Sequence, residues 1–272
     1  MTRVLILGGS GMLGHKLFQH CAARFDAYAT FRTPHSELIV NAESVDSVRR
    51  AVDRVRPDVI VNCIGIVKQD PASNDPHRAM LVNAEFPHRL SELGPRLIHL
   101  STDCVFSGAR GHYSESDVPD PCDLYGRTKL AGEVTGPNCL TLRTSMIGRE
   151  LRGANGLVEW FLSRCGTRVN GWTRAIFSGF TTAVMARIIG DVIETHRQLE
   201  GLYHLAAAPI SKFDLLSMLD DAFQCGAEIV PDDSVVCDRS LDASRFNAAT
   251  GFRPPSWQEM ISEMASEGRS GC

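Results

Sequence analysis

The sequence predicts an α/β fold: a doubly wound parallel sheet over residues 1–148, followed by a smaller C-terminal α/β region over 149–272 that completes a cleft. Three observations predict it. Short β-branched runs alternate with helical patterns through the first half. A glycine-rich turn joins the first run to the first helix. After Arg149 the alternation loosens, beginning with a polar, glycine-bearing stretch at 149–155.

Taken in order, strands are expected at 3–7, 27–31, 58–62, 97–101 and 139–144. Between them, a helix at 12–23 opens after glycines, one at 45–55 follows Ser44 as its N-cap, and one at 77–93 follows Pro76. Helical crossovers between strands imply parallel, right-handed connections. The second region reads as helices at 157–165 and 182–195, a strand at 201–206, a helix at 212–223 capped by Ser211, and a last helix at 257–266 after Pro254 and Pro255. There is no internal repeat or long linker. The two regions should therefore pack as one body, with some segments of the second returning to the first.

Composition removes several function classes. The chain of 272 residues is 43% hydrophobic and 22% charged, with a formal net charge of -4. Its 28 Lys and Arg are scattered, so no basic stripe is available for nucleic acid. The longest early apolar run, 4–7, is too short for a membrane span or signal core, and a cytoplasmic protein without a membrane partner is expected. Nine cysteines form no C-x-x-C pair and read as reduced thiols, several of them in the core. His15, His20 and His204 lack partners at ligand spacing, so no metal is expected.

The turn is Gly8-Gly9-Ser10-Gly11-Met12-Leu13-Gly14. Positions without side chains let the backbone turn tightly and approach a pyrophosphate, which the N–H groups and dipole of the following helix then hold. Strand, glycine turn and helix arrive in the order of a Rossmann-type dinucleotide site. At the end of the second strand, an acidic side chain would bond a ribose 2′-hydroxyl and a basic one would accommodate a 2′-phosphate. Arg32 stands there, while Asp26 lies at the strand's start, so NADP(H) is preferred over NAD(H).

Tyr125 and Lys129 are four residues apart, on one helical face. An ammonium near a phenol favours the tyrosinate, and the expectation is that Lys129 lowers the Tyr125 pKa toward the range of acid–base catalysis. A third group, Thr102, ends the fourth strand beside Ser101, where open α/β sheets gather their ligand-facing residues.

With these residues assembled, the chain resembles the extended short-chain dehydrogenase/reductase superfamily, and most of all its dTDP-4-dehydrorhamnose reductase branch. The resemblance covers nearly the whole chain. It rests on the glycine turn, Asn62-Cys63-Ile64-Gly65, Val82-Asn83-Ala84, the run 101–106 (STDCVF), the run 125–133 (YGRTKLAGE) and Leu142-Arg143-Thr144-Ser145. It implies that Tyr125 is the general acid for a sugar carbonyl, that Lys129 bonds the nicotinamide ribose, and that Thr102 orients the carbonyl. Gly8, Ser10, Gly11, Met12, Leu13 and Gly14 would hold the pyrophosphate. Asn62, Cys63, Ile64, Gly65, Asn83 and Ser101 would lie along the rest of the cofactor. Lys68, Thr102, Val105, Phe106 and Met146 would face a nucleotide-linked 4-keto-6-deoxy sugar, and a homodimer is the expected assembly.

Three positions depart from rhamnose-type reductases: Cys104 stands where Tyr is common, Met146 where Trp is common, and Ile66-Val67-Lys68 replaces smaller or polar residues. All three bear on the sugar and leave the cofactor chemistry intact. A nucleotide-sugar epimerase or dehydratase shares the fold and the Tyr/Lys pair, but Asp103-Cys104 lacks the glutamate that a dehydratase uses beside its aspartate. A non-catalytic NADP-binding regulatory subunit is the alternative from another class, and the intact Tyr125, Lys129 and Thr102 speak against it.

Overall fold

The first strands are apolar on both faces, as a sheet covered on both sides requires. In the computed structural model, which describes residues 1–32, 38–151 and 153–269, alternate residues of each strand enter different cores. In β1 (Arg3–Leu7), Val4 and Ile6 join one cluster while Leu5 and Leu7 join the other. Helix α1 (Met12–Ala22) covers the first face, and β2 (Asp26–Ala29) then pairs parallel to β1. Helix α2 (Val45–Val55) covers the second face through Val48, Ala51 and Val55. Strand β3 (Val59–Asn62) follows, pairing with the other side of β1.

The helix expected at 77–93 is instead three pieces: α3 (Pro76–Ala79), a π-helical turn (Met80–Glu85) and α4 (Phe86–Ser91). Pro87 has no N–H to offer the carbonyl of Asn83 four residues back, and the register widens there. Next come β4 (Arg96–Thr102), a 3₁₀ turn (Asp103–Val105), α5 (Leu124–Ala131) and β5 (Cys139–Thr144).

The second region contributes β6 (Met146–Ile147), α6 (Leu157–Leu162), β7 (Arg168–Trp172), β8 (Ala175–Phe177), β9 (Phe180–Thr181) and α7 (Thr182–Thr195). Helix α7 packs on α1, and β10 (Gly201–His204) then adds to the main sheet beside β5. Strand β11 (Ile210–Ser211), α8 (Lys212–Phe223), β12 (Glu228–Asp232), β13 (Cys237–Asp238), α9 (Ser244–Thr250) and α10 (Trp257–Arg269) complete the chain.

The main sheet has the order β10-β5-β4-β3-β1-β2, all parallel. Chain direction across the sheet reverses between β1 and β3, and the crevice beyond their carboxyl ends is where such sheets bind ligands. Next to β2, a parallel bridge between Phe31 and Ile39 marks one further edge position that the sequence reading did not anticipate. Strand β10 ends at His204, short of the expected 206, the Leu205 N–H making a last bond to the Arg143 carbonyl of β5 at 2.9 Å.

One expectation is corrected here. Cys165, after α6, and Cys225, after α8, form a disulfide with a Cα–Cα distance of 4.5 Å, so the reading of all cysteines as reduced thiols fails for this pair. Spacing of 60 residues along the chain carries no sign of that contact. No helix among the described residues is long and apolar enough to cross a membrane.

Candidate active site

A cleft of about 690 Å³ opens beyond the carboxyl ends of β1, β3, β4 and β5. Its sheet side is lined by Gly11, Met12, Leu13, Asn62, Cys63, Ile64, Gly65, Ser101, Thr102, Tyr125 and Lys129, with Lys68 and Met146 at its flanks. The sequence-derived residues therefore converge from four separate strand ends.

The glycine turn fits a pyrophosphate. Gly8 has φ +87°, and a Cβ at Gly14 would stand 2.1 Å from the Gly8 carbonyl oxygen, so only glycine lets the helix start press against the turn. Gly11, the N-cap of α1, contributes no side-chain acceptor, and the first turn contains no acidic residue, which leaves the leading N–H groups for an anion. Gly14→Ala should force α1 outward, costing about 1–3 kcal/mol of stability and at least about tenfold in NADPH affinity. Fluorescence titration with NADPH and a denaturation curve measure both.

Tyr125 is placed by the start of α5. Asp123 caps the helix by accepting from the Gly126 N–H at 2.7 Å, and its other oxygen pairs with Lys68 at 2.5 Å. A Cβ at Gly126 would lie 2.2 Å from the Cys104 carbonyl oxygen, so glycine beside the tyrosine brings α5 onto the 3₁₀ turn after β4. The Thr102 hydroxyl accordingly sits on the Tyr125 side of the turn, donating to Asp103 at 3.1 Å and accepting from the Cys104 N–H at 3.1 Å.

The electrostatics differ from the sequence expectation. Burial pushes the Tyr125 pKa up, with the neighbouring Cys104, Asp103 and Asp123 adding to it, and the Thr102 hydrogen bond only partly opposes them. Lys129 does not offset this while its Nζ is turned down to the Leu100 carbonyl at 2.6 Å. The same burial lowers the Lys129 pKa to about 8, Glu133 acting against it. At neutral pH the phenol thus keeps its proton, the state a general acid needs.

Several expected residues lie elsewhere. Val105 and Phe106 are fully buried in a core cluster with Tyr113 and Leu241, so the expectation that they face a substrate does not hold: the 3₁₀ turn points both inward. Asn83 is buried in the π turn, bonding the backbone of Ile66 at 2.8 and 2.9 Å and Thr128 at 3.2 Å. It braces the 62–66 loop against α5 rather than lining the cleft. Ser101 lines it, yet donates to Glu133 at 2.6 Å. Gly8 and Gly14 support the turn from behind, Ser10 is exposed beside it, and Arg32 is exposed just past β2.

The opposite wall holds residues that sequence reasoning missed: Trp172, Phe177, Lys212 and Arg239. Lys212 stacks over the Phe177 ring at 4.2 Å, and burial lowers its pKa to about 8, opposed by Asp103. One sequence signal was available, since a lysine at the first position of α8 faces the positive end of the helix dipole. Arg239 bonds the Phe106 carbonyl at 2.8 Å, and the Trp172 side chain stands 43% exposed at the rim. Among the described residues, no group of three or more His, Cys, Asp or Glu is placed to hold a metal.

Comparison with known proteins follows the same lines. The model of a family described as the RmlD substrate binding domain matches residues 1–270. The dTDP-4-dehydrorhamnose reductase of Aggregatibacter actinomycetemcomitans is 28% identical, over 96% of this chain and 97% of that protein. Methionine adenosyltransferase 2 subunit beta of Danio rerio is 27% identical, over 81% of this chain and 74% of that one. Among solved structures, dTDP-4-dehydrorhamnose reductase from Bacillus anthracis str. Ames in complex with NADP aligns with a TM-score of 0.84 at 23% identity, covering 98% of this chain and 100% of that one.

Proposed function

The chain belongs to the RmlD substrate binding domain family, and from that membership we propose that it is an NADPH-dependent reductase of a nucleotide-linked 4-keto-6-deoxy sugar. The observation that carries the reading is the phenol of Tyr125, held protonated by burial and set beside Thr102 in a cleft that begins at a glycine turn fitted to a pyrophosphate.

Bound NADPH would supply the hydride that reduces the carbonyl carbon. The Tyr125 O–H donates its proton to the carbonyl oxygen as the carbon is reduced, and Thr102, already against the phenol, orients that oxygen. Gly11, Met12 and Leu13 would hold the pyrophosphate of the cofactor at the start of α1. Across the cleft, Lys212 and Arg239 offer positive charge to the substrate's diphosphate, and Trp172 offers an exposed aromatic face.

A preference for NADPH over NADH rests on Arg32. Arg32→Ala should weaken NADPH about tenfold and leave NADH unchanged, since one charge-assisted bond to a phosphate is worth about 1.4 kcal/mol; parallel titrations with the two cofactors check it. For the activity itself, the protein is mixed with NADPH and a panel of nucleotide-linked 4-keto-6-deoxy sugars while absorbance is followed. Oxidation of NADPH by one sugar is expected.

A second reading has one specific support, the likeness to methionine adenosyltransferase 2 subunit beta. Under it the chain is a regulatory subunit. NADPH binding without oxidation by any sugar in the panel would favour it.

A further inference from the structure

Lys129 has a buried histidine behind it, and hydrogen-bond bookkeeping decides which way that histidine faces. His99 is 1% exposed in the middle of β4, on the strand face that otherwise enters the second core. Its Nδ1 lies 3.1 Å from the Asn62 Nδ2, and its Nε2 lies 3.4 Å from the Lys129 Nζ. The Asn62 amide cannot be turned over, because its Oδ1 accepts from the Ile64 N–H at 3.1 Å. Asn62 therefore donates to His99, and Nδ1 must accept.

A neutral imidazole has one donor and one acceptor nitrogen. With Nδ1 accepting, the proton sits on Nε2 and points at Lys129. A neutral amine can accept that N–H while donating to the Leu100 carbonyl, which is the observed inward position at 2.6 Å. An ammonium has only donors. Facing an N–H, it keeps the Leu100 bond at the cost of donor opposing donor, or swings outward into the cleft.

We infer that His99 is a positioning residue for Lys129: fixed by Asn62 as the Nε2–H tautomer, it holds the neutral amine inward and sends the ammonium toward the cofactor side of the cleft. The inference rests on the reading of Lys129 as a cofactor-side residue. The other charged or titratable groups near the pair are Tyr125 and Glu133 on the α5 side and His88 on α4; burial first, then the Lys129 charge, keeps His99 neutral. Glu133 is already paired with Arg143 at 2.8 Å and so does not supply the missing acceptor.

The test needs no substrate, so it remains decisive whatever the sugar panel shows. Long-range proton–nitrogen spectra of the whole protein should show His99 with an unprotonated Nδ1 and a protonated Nε2, unchanged from about pH 6 to about pH 9. The Lys129 ε-carbon should titrate near 8. In His99→Phe the opposing N–H is gone and the midpoint should rise by about one pH unit. In Asn62→Asp a carboxylate accepts from His99, moves its proton to Nδ1 and turns a lone pair toward Lys129, again raising the midpoint. NADPH affinity, which needs the outward ammonium, should fall as pH passes the Lys129 midpoint and shift with it in both variants. A Nδ1–H tautomer in the unaltered protein, protonation of His99 near its ordinary pKa, or a Lys129 midpoint unmoved in both folded variants overturns the inference.

Discussion

Replacing Tyr125 by phenylalanine should lower kcat by about 10²–10⁴-fold, the range expected when a positioned proton donor is lost, while NADPH affinity stays within about twofold. The separation of effects follows from the geometry. Tyr125 lines the cleft with Thr102, whereas the turn that fits the pyrophosphate contributes Gly11, Met12 and Leu13 from the start of α1. The ring of phenylalanine fills the same space, so α5 should keep its place against the 3₁₀ turn. Stopped-flow reduction of the best sugar in the panel, paired with fluorescence titration, reads both quantities. Loss of cofactor binding in step with turnover would mean that the residue acts through structure and would remove its role as acid. The pH dependence carries a sign as well: with the phenol pKa raised, the acid stays protonated through neutral pH, and kcat should show no loss from Tyr125 ionisation below about pH 10.

The second large effect concerns a pair outside the lining of the cleft. Arg143 on β5 grips Glu133 through two nitrogens, both at 2.8 Å, and the two side chains are 4% and 8% exposed. Arg143→Met leaves the Glu133 carboxylate buried without its bidentate partner, keeping the Ser101 hydroxyl at 2.6 Å, and should cost about 3–5 kcal/mol of stability. The loss is large because an uncompensated charge remains, rather than because the pair itself is strongly stabilising. Adding Glu133→Leu to Arg143→Met should therefore recover most of it, and a denaturant series on both variants checks this. Equal destabilisation in the single and double variants would show that packing of the arginine stem dominates instead.

How the site could be read from the chain depends on how local each feature is. The glycine turn requires only a strand, a turn and a helix in sequence, and Gly14 lies six positions from the Gly8 oxygen it would strike. Tyr125 and Lys129 share a helix face because four residues make about one turn. Thr102 follows from the rule that ligands gather at strand carboxyl ends. Failures of reading arose where a local pattern met a distant partner. The run 77–93 looks helical throughout, but Pro87 and the bracing role of Asn83 break it into three. Val105 and Phe106 follow Thr102 closely in sequence, yet the chain around the 3₁₀ turn sends both into the core. The Tyr125 pKa was misread for a similar reason: spacing places an ammonium near the phenol, but its direction depends on the Leu100 carbonyl and His99.

By itself, then, the sequence determined the alternating sheet, the dinucleotide turn and the face carrying Tyr125 and Lys129, since backbone periodicity and short-range sterics specify all three. Only the tertiary structure decided that Lys212, Arg239 and Trp172 form the opposite wall, that β10 returns to the main sheet, that Cys165 meets Cys225, and that Asn62 and His99 stand behind the lysine. Each of these joins residues from separate elements, and packing of buried apolar faces brings them together; no spacing along the chain encodes that.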